Sequence, residues 1–175
     1  MSETDVISAW SLRIAEEAAP YEADVAPAMA HAYIAGGRAR DKLFRQSGGV
    51  PGAFGPDIAI ALFPAILSAI AAAGPHLLHF LSGIVEHSQE ISAFAATLTS
   101  LVSLSSRFEQ KEKTQSLPDD RYAPLKAIMD ELSEELNKAN IPQDRADVIT
   151  YRVLKVMIED PSGAGRFTRE VAQAS

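Results

Sequence analysis

The sequence contains no charged residue from Ile58 to Val85, and a second uncharged stretch runs from Ile91 to Ser106. Only Glu86 and Glu90 interrupt this region between Asp57 and Arg107. Roughly 20 consecutive apolar residues are enough for a helix to span a bilayer. Region 57–106 must therefore be a buried helical core, a membrane-inserting element or an oligomer interface, and the sequence leaves these three alternatives open.

The apolar pattern predicts an all-α fold. Alternating Val, Ile, Thr and aromatic residues bounded by hairpin turns are nearly absent, whereas apolar residues recur every three or four positions. We expect a helical bundle with a central apolar helix pair, formed by a helix over 58–73 and a long helix from Pro75 to about Lys113. The long helix carries a heptad-like seam at Leu77, Leu81, Ile84, Ser88, Ile91, Ala95, Leu98 and Val102.

The sequence predicts two units along the chain. Residues 1–113 form a helical domain that contains region 57–106, residues 114–120 form a linker, and residues 121–175 form a small module of three helices. The inward faces predicted for this module are Leu125, Met129, Leu132 and Leu136 on its first helix, Ile149, Val153, Val156 and Met157 on its second, and Phe167 and Val171 on its third.

Charge and cysteine content exclude several classes of protein. The net charge is −7 and there is no basic run, which argues against a nucleic-acid partner because phosphate contacts dominate that affinity. Cysteine is absent, which removes disulfides and thiol catalysis. The first residues lack the basic and apolar parts of a secretory signal. We therefore expect a cytoplasmic protein, in one version associated with the inner face of a membrane.

Two local features could carry function. The glycine-rich segment 47–56 predicts a hinge at Gly48, Gly49, Gly52 and Gly55, since it lacks the Gly-Lys-Ser/Thr ending of a phosphate loop. His76, His79 and His87 are candidate pH-responsive groups, because insertion of an apolar segment favours neutral imidazole. Their spacing does not bring three ligands together, so no metal site, and no other cofactor, is predicted.

The membrane alternative rests on the flanks of the apolar region. Residues 58–74 and 91–106 could form a hairpin whose two ends both carry basic residues, as the positive-inside rule requires. The first segment is rich in Ala and the second in Ser and Thr, so insertion would be conditional. The residues predicted to form a membrane or helix-packing interface are Ile66, Ile70, Leu81, Ile84, Ile91, Phe94, Ala96, Leu98, Ser100 and Val102.

These observations favour a non-enzymatic helical interaction or oligomerisation protein. In the most specific version of this hypothesis, the protein associates conditionally with a membrane, or forms a pore, through region 57–106. Its partner would be another protein, a second copy of the chain or a lipid membrane. One alternative is a soluble adaptor or structural subunit in which region 57–106 is buried core. The alternative of another class is a small helical enzyme with a His/Glu site on the 75–113 helix, although no catalytic motif is present.

Overall fold

The computed structural model describes residues 3–45, 62–86 and 123–174, and all regular secondary structure in these ranges is helical. The predicted all-α class is therefore confirmed. The helices are α1 (Glu3–Ala18), a short 3-10 helix (Pro20–Glu22), α2 (Ala26–Ala35), α3 (Gly37–Arg45), α4 (Leu62–Ala72), α5 (Gly74–Glu86), α6 (Ala123–Lys138), α7 (Gln143–Glu159) and α8 (Pro161–Gln173). The predicted extension of the long helix beyond Glu86 lies outside the described residues.

Local sequence signals explain where α2 and α6 end. The pair Gly36-Gly37 predicts a helix stop, and α2 ends there with positive φ at both residues, 68° and 52°, a conformation that favours glycine. Asn140 has a φ of 65° and separates α6 from α7. Asn tolerates the left-handed region better than most residues, which explains why a helix stops at this position.

One predicted cap is wrong. Asp24 stands three residues before Pro27, which predicts that its side chain caps the helix that follows, but α2 begins at Ala26, its N-cap residue is Val25, and no side chain caps it. The fixed φ of Pro20 instead starts a 3-10 turn that ends at Glu22, whose carboxylate is used elsewhere in the fold.

A polar network joins α6 to α7. The hydroxyl of Ser133, which is buried, donates to Oδ1 of Asp147 at 2.6 Å. The side-chain amide of Gln143 donates to both Ser133 Oγ at 2.8 Å and Asp147 Oδ1 at 2.7 Å. Because a buried hydroxyl without a partner is destabilising, the hydrogen bond from Ser133 to Asp147 stabilises the contact between the two helices.

The buried side chains of the described residues belong to one hydrophobic cluster. Helix α5 packs most extensively on α8, α4 packs on α6, α8 and α2, and α1 packs on α2, α7 and α8. Both units predicted from the sequence thus contribute to the same core. The linker at 114–120 lies outside the described residues, so the division into two domains stays a prediction.

Side-chain burial agrees with the faces predicted for the last three helices. Ile149, Val153, Val156, Met157, Phe167 and Val171 are all buried, as are Leu125, Leu132 and Leu136. Met129 is only partly buried, because the neighbouring Ile128 occupies the core at 1% exposure.

Trp10 forms the contact between α1 and the start of α8. Its indole stacks on Phe167 with ring centroids 6.4 Å apart, and the guanidinium of Arg13 lies 5.2 Å from the indole centroid. Gly163 lies directly against the ring, where an added Cβ would stand 2.6 Å from Nε1 and 2.8 Å from Cζ2. The indole therefore requires the smallest residue at position 163.

Candidate functional site

Helix α4 is the most deeply buried part of region 57–106 that the structure describes. Eight of its residues are buried: Phe63, Pro64, Ala65, Ile66, Leu67, Ala69, Ile70 and Ala71. A helix that is apolar on all sides is stable in water only when other elements cover it. Here α2, α6 and α8 provide that cover. Pro64 lies in the first turn, where a missing N–H costs no helical hydrogen bond, so it does not kink the helix.

A carboxylate from a distant part of the chain caps α4. The backbone N–H of Leu62 donates to Oε1 of Glu22 at 2.7 Å, and that of Phe63 donates to Oε2 at 2.8 Å. The first amides of a helix lack internal partners and carry partial positive charge, so a carboxylate there satisfies two donors and interacts favourably with the helix dipole. Glu22 therefore ties the start of α4 to the connection between α1 and α2. We refer to these two hydrogen bonds as the Glu22 clamp.

The junction between α4 and α5 is a close contact with α8. Helix α5 begins at Gly74, where an added Cβ would stand 2.8 Å from Cβ of Ala172. Within the described ranges, no single helix has both the length and the apolar composition of a membrane span, whereas α4 and α5 pass the same test only as a pair bent by 74°. We call this pair the apolar corner.

Helix α5 has two different faces. Leu77, Phe80, Leu81 and Ile84 are buried, whereas His76, His79, Ser82 and Val85 are exposed. Nδ1 of His76 lies 2.9 Å from Oε2 of Glu131 on α6, and Ser82 donates its hydroxyl to the carbonyl oxygen of His79 at 2.9 Å. The apolar corner thus buries an aliphatic side and presents two histidines on the other.

The structure groups only some of the histidines and carboxylates expected from the sequence. His76 meets Glu131, but His79 and Glu86 are exposed and His87 lies outside the described residues. Over residues 3–45, 62–86 and 123–174, no three His, Asp or Glu side chains converge as a metal site would require. The sequence did not predict a contact between Ser8 Oγ and His31 Nε2, at 3.1 Å, which joins α1 to α2.

The core around α4 is closely packed. An apolar void of about 10 Å³ lies between Ile66 and Ile70 on α4 and the facing residues of α6 and α7. It has room for at most one water molecule. Thr150 lines this void, and its hydroxyl has no hydrogen-bond partner among the described residues.

Arg40 connects α3 to the end of α8. Its guanidinium lies 4.2 Å from the ring centroid of Tyr33, which is fully buried, and donates to Tyr33 Oη at 2.9 Å and to the carbonyl oxygen of Ala174 at 2.8 Å. Arg40 is one of the basic residues that precede the apolar region in the sequence, where the membrane alternative assigns them to the flank of a hairpin. The structure shows that its charge serves the contact among α2, α3 and α8.

Four of the predicted interface residues can be placed. Ile66, Ile70, Leu81 and Ile84 are 0–6% exposed and pack inside this chain. The other six, Ile91, Phe94, Ala96, Leu98, Ser100 and Val102, lie outside the described residues, as do the hinge glycines Gly48, Gly49, Gly52 and Gly55. A role of any of these residues in binding a membrane or a second copy stays a prediction.

The chain matches no known family model, no curated protein and no solved structure. The features that bear on its function are therefore the apolar corner, the Glu22 clamp and the surfaces around them.

Proposed function

We propose that this chain is a non-enzymatic helical interaction protein that associates through region 57–106. The observation that supports the proposal is the apolar corner, in which two consecutive helices carry no charge before Glu86. The uncharged sequence continues beyond α5 over 91–106. In the sharper form of the proposal, the target of this region is a lipid membrane; in the more general form, it is a protein partner or a second copy.

Membrane association in this form is conditional, because α4 is already buried in the protein. Burying one large aliphatic or aromatic side chain contributes about 1.5–3 kcal/mol. The four largest buried side chains of α4, those of Phe63, Ile66, Leu67 and Ile70, therefore contribute roughly 6–12 kcal/mol, comparable with the whole stability of a typical domain. A bilayer offsets this loss by burying the same side chains. We propose that α4 leaves the core only when a membrane receives it, with segment 47–56 as the hinge.

The burial of α4 favours the second candidate function. In that alternative the chain is a soluble adaptor or structural subunit, α4 stays in the core permanently, and contact with partners occurs through other surfaces. The membrane form of the proposal differs from this alternative in whether the purified chain binds lipid vesicles, and the self-association form differs from it in the effect of region 57–106 on the mass of the assembly.

The test is vesicle flotation of the full chain, with dye leakage and with light scattering on the same preparation. Leu98→Asp places a charge inside the uncharged stretch, and Gln110→Asp places the same charge just outside it. An Asp at the centre of an inserted helix costs about 2.5–3.5 kcal/mol, so we expect Leu98→Asp to lower vesicle partitioning by roughly a hundredfold. Gln110→Asp should behave like the wild-type chain. Ile66→Asp is unsuitable because Ile66 is 1% exposed and a charge there would unfold the core.

Each outcome decides between the candidates. Flotation and leakage that Leu98→Asp abolishes support the membrane form. Equal flotation of both variants would overturn it. A chain that ignores vesicles but forms an oligomer, with Ala96→Leu lowering the oligomer mass, supports self-association through region 57–106. A monomer indifferent to vesicles would contradict both membrane association and self-association, and it would favour the soluble-subunit alternative.

A further inference from the structure

We propose that α4 opens transiently from the core in water, as a local unit, because its contact with the rest of the fold is imperfect on the side of α7. The inference rests on the proposed function for its role, since the open state is the one in which α4 could meet a partner. The closed state still predominates, and a partner would act by binding the minor open state.

The packing around α4 is interrupted toward α7. Helix α4 packs on α6, α8 and α2, whereas α7 is not among the helices with which it shares an extensive contact. The void of about 10 Å³ lies where α4 approaches α7, between Ile66 and Ile70 on one side and Ile149 and Val153 on the other. Atoms that face a void lack van der Waals partners on that side, so this part of the contact contributes less to stability than burial alone suggests.

Thr150 adds an unpaired hydroxyl to the same part of the contact. The residue is 1% exposed, and its Oγ1 has no hydrogen-bond partner among the described residues. A threonine within a helix commonly bonds to the carbonyl oxygen one turn earlier, and a buried hydroxyl without any partner loses its hydration uncompensated. Because Thr150 lines the void, opening of α4 gives this hydroxyl access to water. The neighbouring contact between α6 and α7 differs, since the buried Ser133 is paired with Asp147.

Few polar groups are present to hold α4 in place. The Glu22 clamp binds only the amides of Leu62 and Phe63, and Ser68 is the one residue of α4 with a polar side chain. At its other end α4 meets α5 at an angle of 74°, and α5 packs far more extensively on α8 than on α4. Helix α4 can therefore open as a unit while α5 and α8 remain together, as expected of a locally unfolding element.

The experiment is native-state hydrogen exchange of the full chain in water, without vesicles. In the wild-type chain, the amides of Leu67 and Ile70 on α4 should exchange faster than that of Met157, which is fully buried on α7 and does not line the void. Thr150→Val keeps the shape of the side chain and removes the unpaired hydroxyl. We expect this variant to slow exchange at Leu67 and Ile70 by about tenfold, since the closed state no longer contains an unsatisfied group.

Gly165→Ala is the matched control, because it stabilises the protein without changing the void. Nothing lies within 4 Å of the added Cβ, and the helix that it stabilises is α8. This variant should slow exchange at Met157 by roughly threefold, because that amide exchanges through global unfolding. Exchange at Leu67 and Ile70 should be unchanged, since α8 stays helical while α4 is open.

The outcomes separate this inference from the proposed function. Equal slowing at Leu67, Ile70 and Met157 in Gly165→Ala would overturn the inference, because α4 would then exchange only through global unfolding. Unchanged exchange at Leu67 and Ile70 in Thr150→Val would also overturn it, since the hydroxyl would not be released when α4 opens. A chain that shows the expected exchange but binds neither vesicles nor a second copy would keep the local opening and contradict the proposed function alone.

Discussion

Gly163→Ala is expected to lower the free energy of unfolding by about 1–3 kcal/mol, the usual cost of overpacking a closely packed site. The added Cβ would stand 2.6 Å from Nε1 and 2.8 Å from Cζ2 of Trp10, and it would also press on the carboxylate of Asp160. The indole cannot move away freely, because it stacks on Phe167 on α8 and Arg13 lies over it. Denaturant unfolding of the purified variant measures the loss.

Gly165→Ala is the matched control for this change. It makes the same substitution in the same helix, but nothing lies within 4 Å of the added Cβ. Because glycine inside a helix is less favourable than alanine by about 0.5–1 kcal/mol, this variant should be more stable than the wild-type chain by that amount. Two variants that shift stability in the same direction would show that Trp10 does not pack against α8 as described.

Glu22→Ala is expected to destabilise the chain by about 2 kcal/mol and to loosen the start of α4. The change leaves the N–H groups of Leu62 and Phe63 without their carboxylate partner, and helix caps and hydrogen bonds to charged groups have energies of this size. Amide hydrogen exchange at Leu62 and Phe63 should accelerate together with the fall in stability. Glu22→Gln, which keeps one acceptor oxygen, should give an intermediate loss.

Glu16→Ala is the control, because Glu16 is an exposed carboxylate on α1 and its removal should change stability by less than about 0.5 kcal/mol.

The Glu22 clamp also has a functional consequence under the membrane form of the proposal. If α4 must leave the core, Glu22→Ala should bind vesicles more strongly than the wild-type chain. Unchanged exchange at the start of α4 would refute the clamp itself.

The sequence predicts the local features of this fold well. The helix stop at Gly36-Gly37 follows from the backbone freedom of glycine, and the inward positions of Ile149, Val153 and Phe167 follow from helical periodicity. Signals of this kind lie within a few residues of the structure they determine. These features can therefore be predicted without knowing which helices pack together.

The contacts that hold the candidate site together could not be predicted in this way. Glu22 reaches Leu62 across 40 positions, and Arg40 reaches Ala174 across 134, so neither contact leaves a pattern in the local sequence. The spacing of Asp24 from Pro27 predicts that Asp24 caps α2. In the structure no side chain caps α2, whereas Glu22 caps α4. Because these side chains are charged, the sequence predicts that each is either paired or exposed to solvent. Which of the two applies depends on how the helices pack.

Hydrogen exchange of α6 with and without phosphatidylglycerol vesicles tests the central claim most directly. In water, α4 covers α6, and the buried Leu132 and Leu136 lie on the facing side of the void next to Ile66 and Ile70. If α4 moves into the membrane, α6 loses that cover, and its amides should exchange faster in the vesicle-bound chain. A chain that binds vesicles while α6 keeps its full protection would contradict release of α4 and would place the apolar corner in the core permanently.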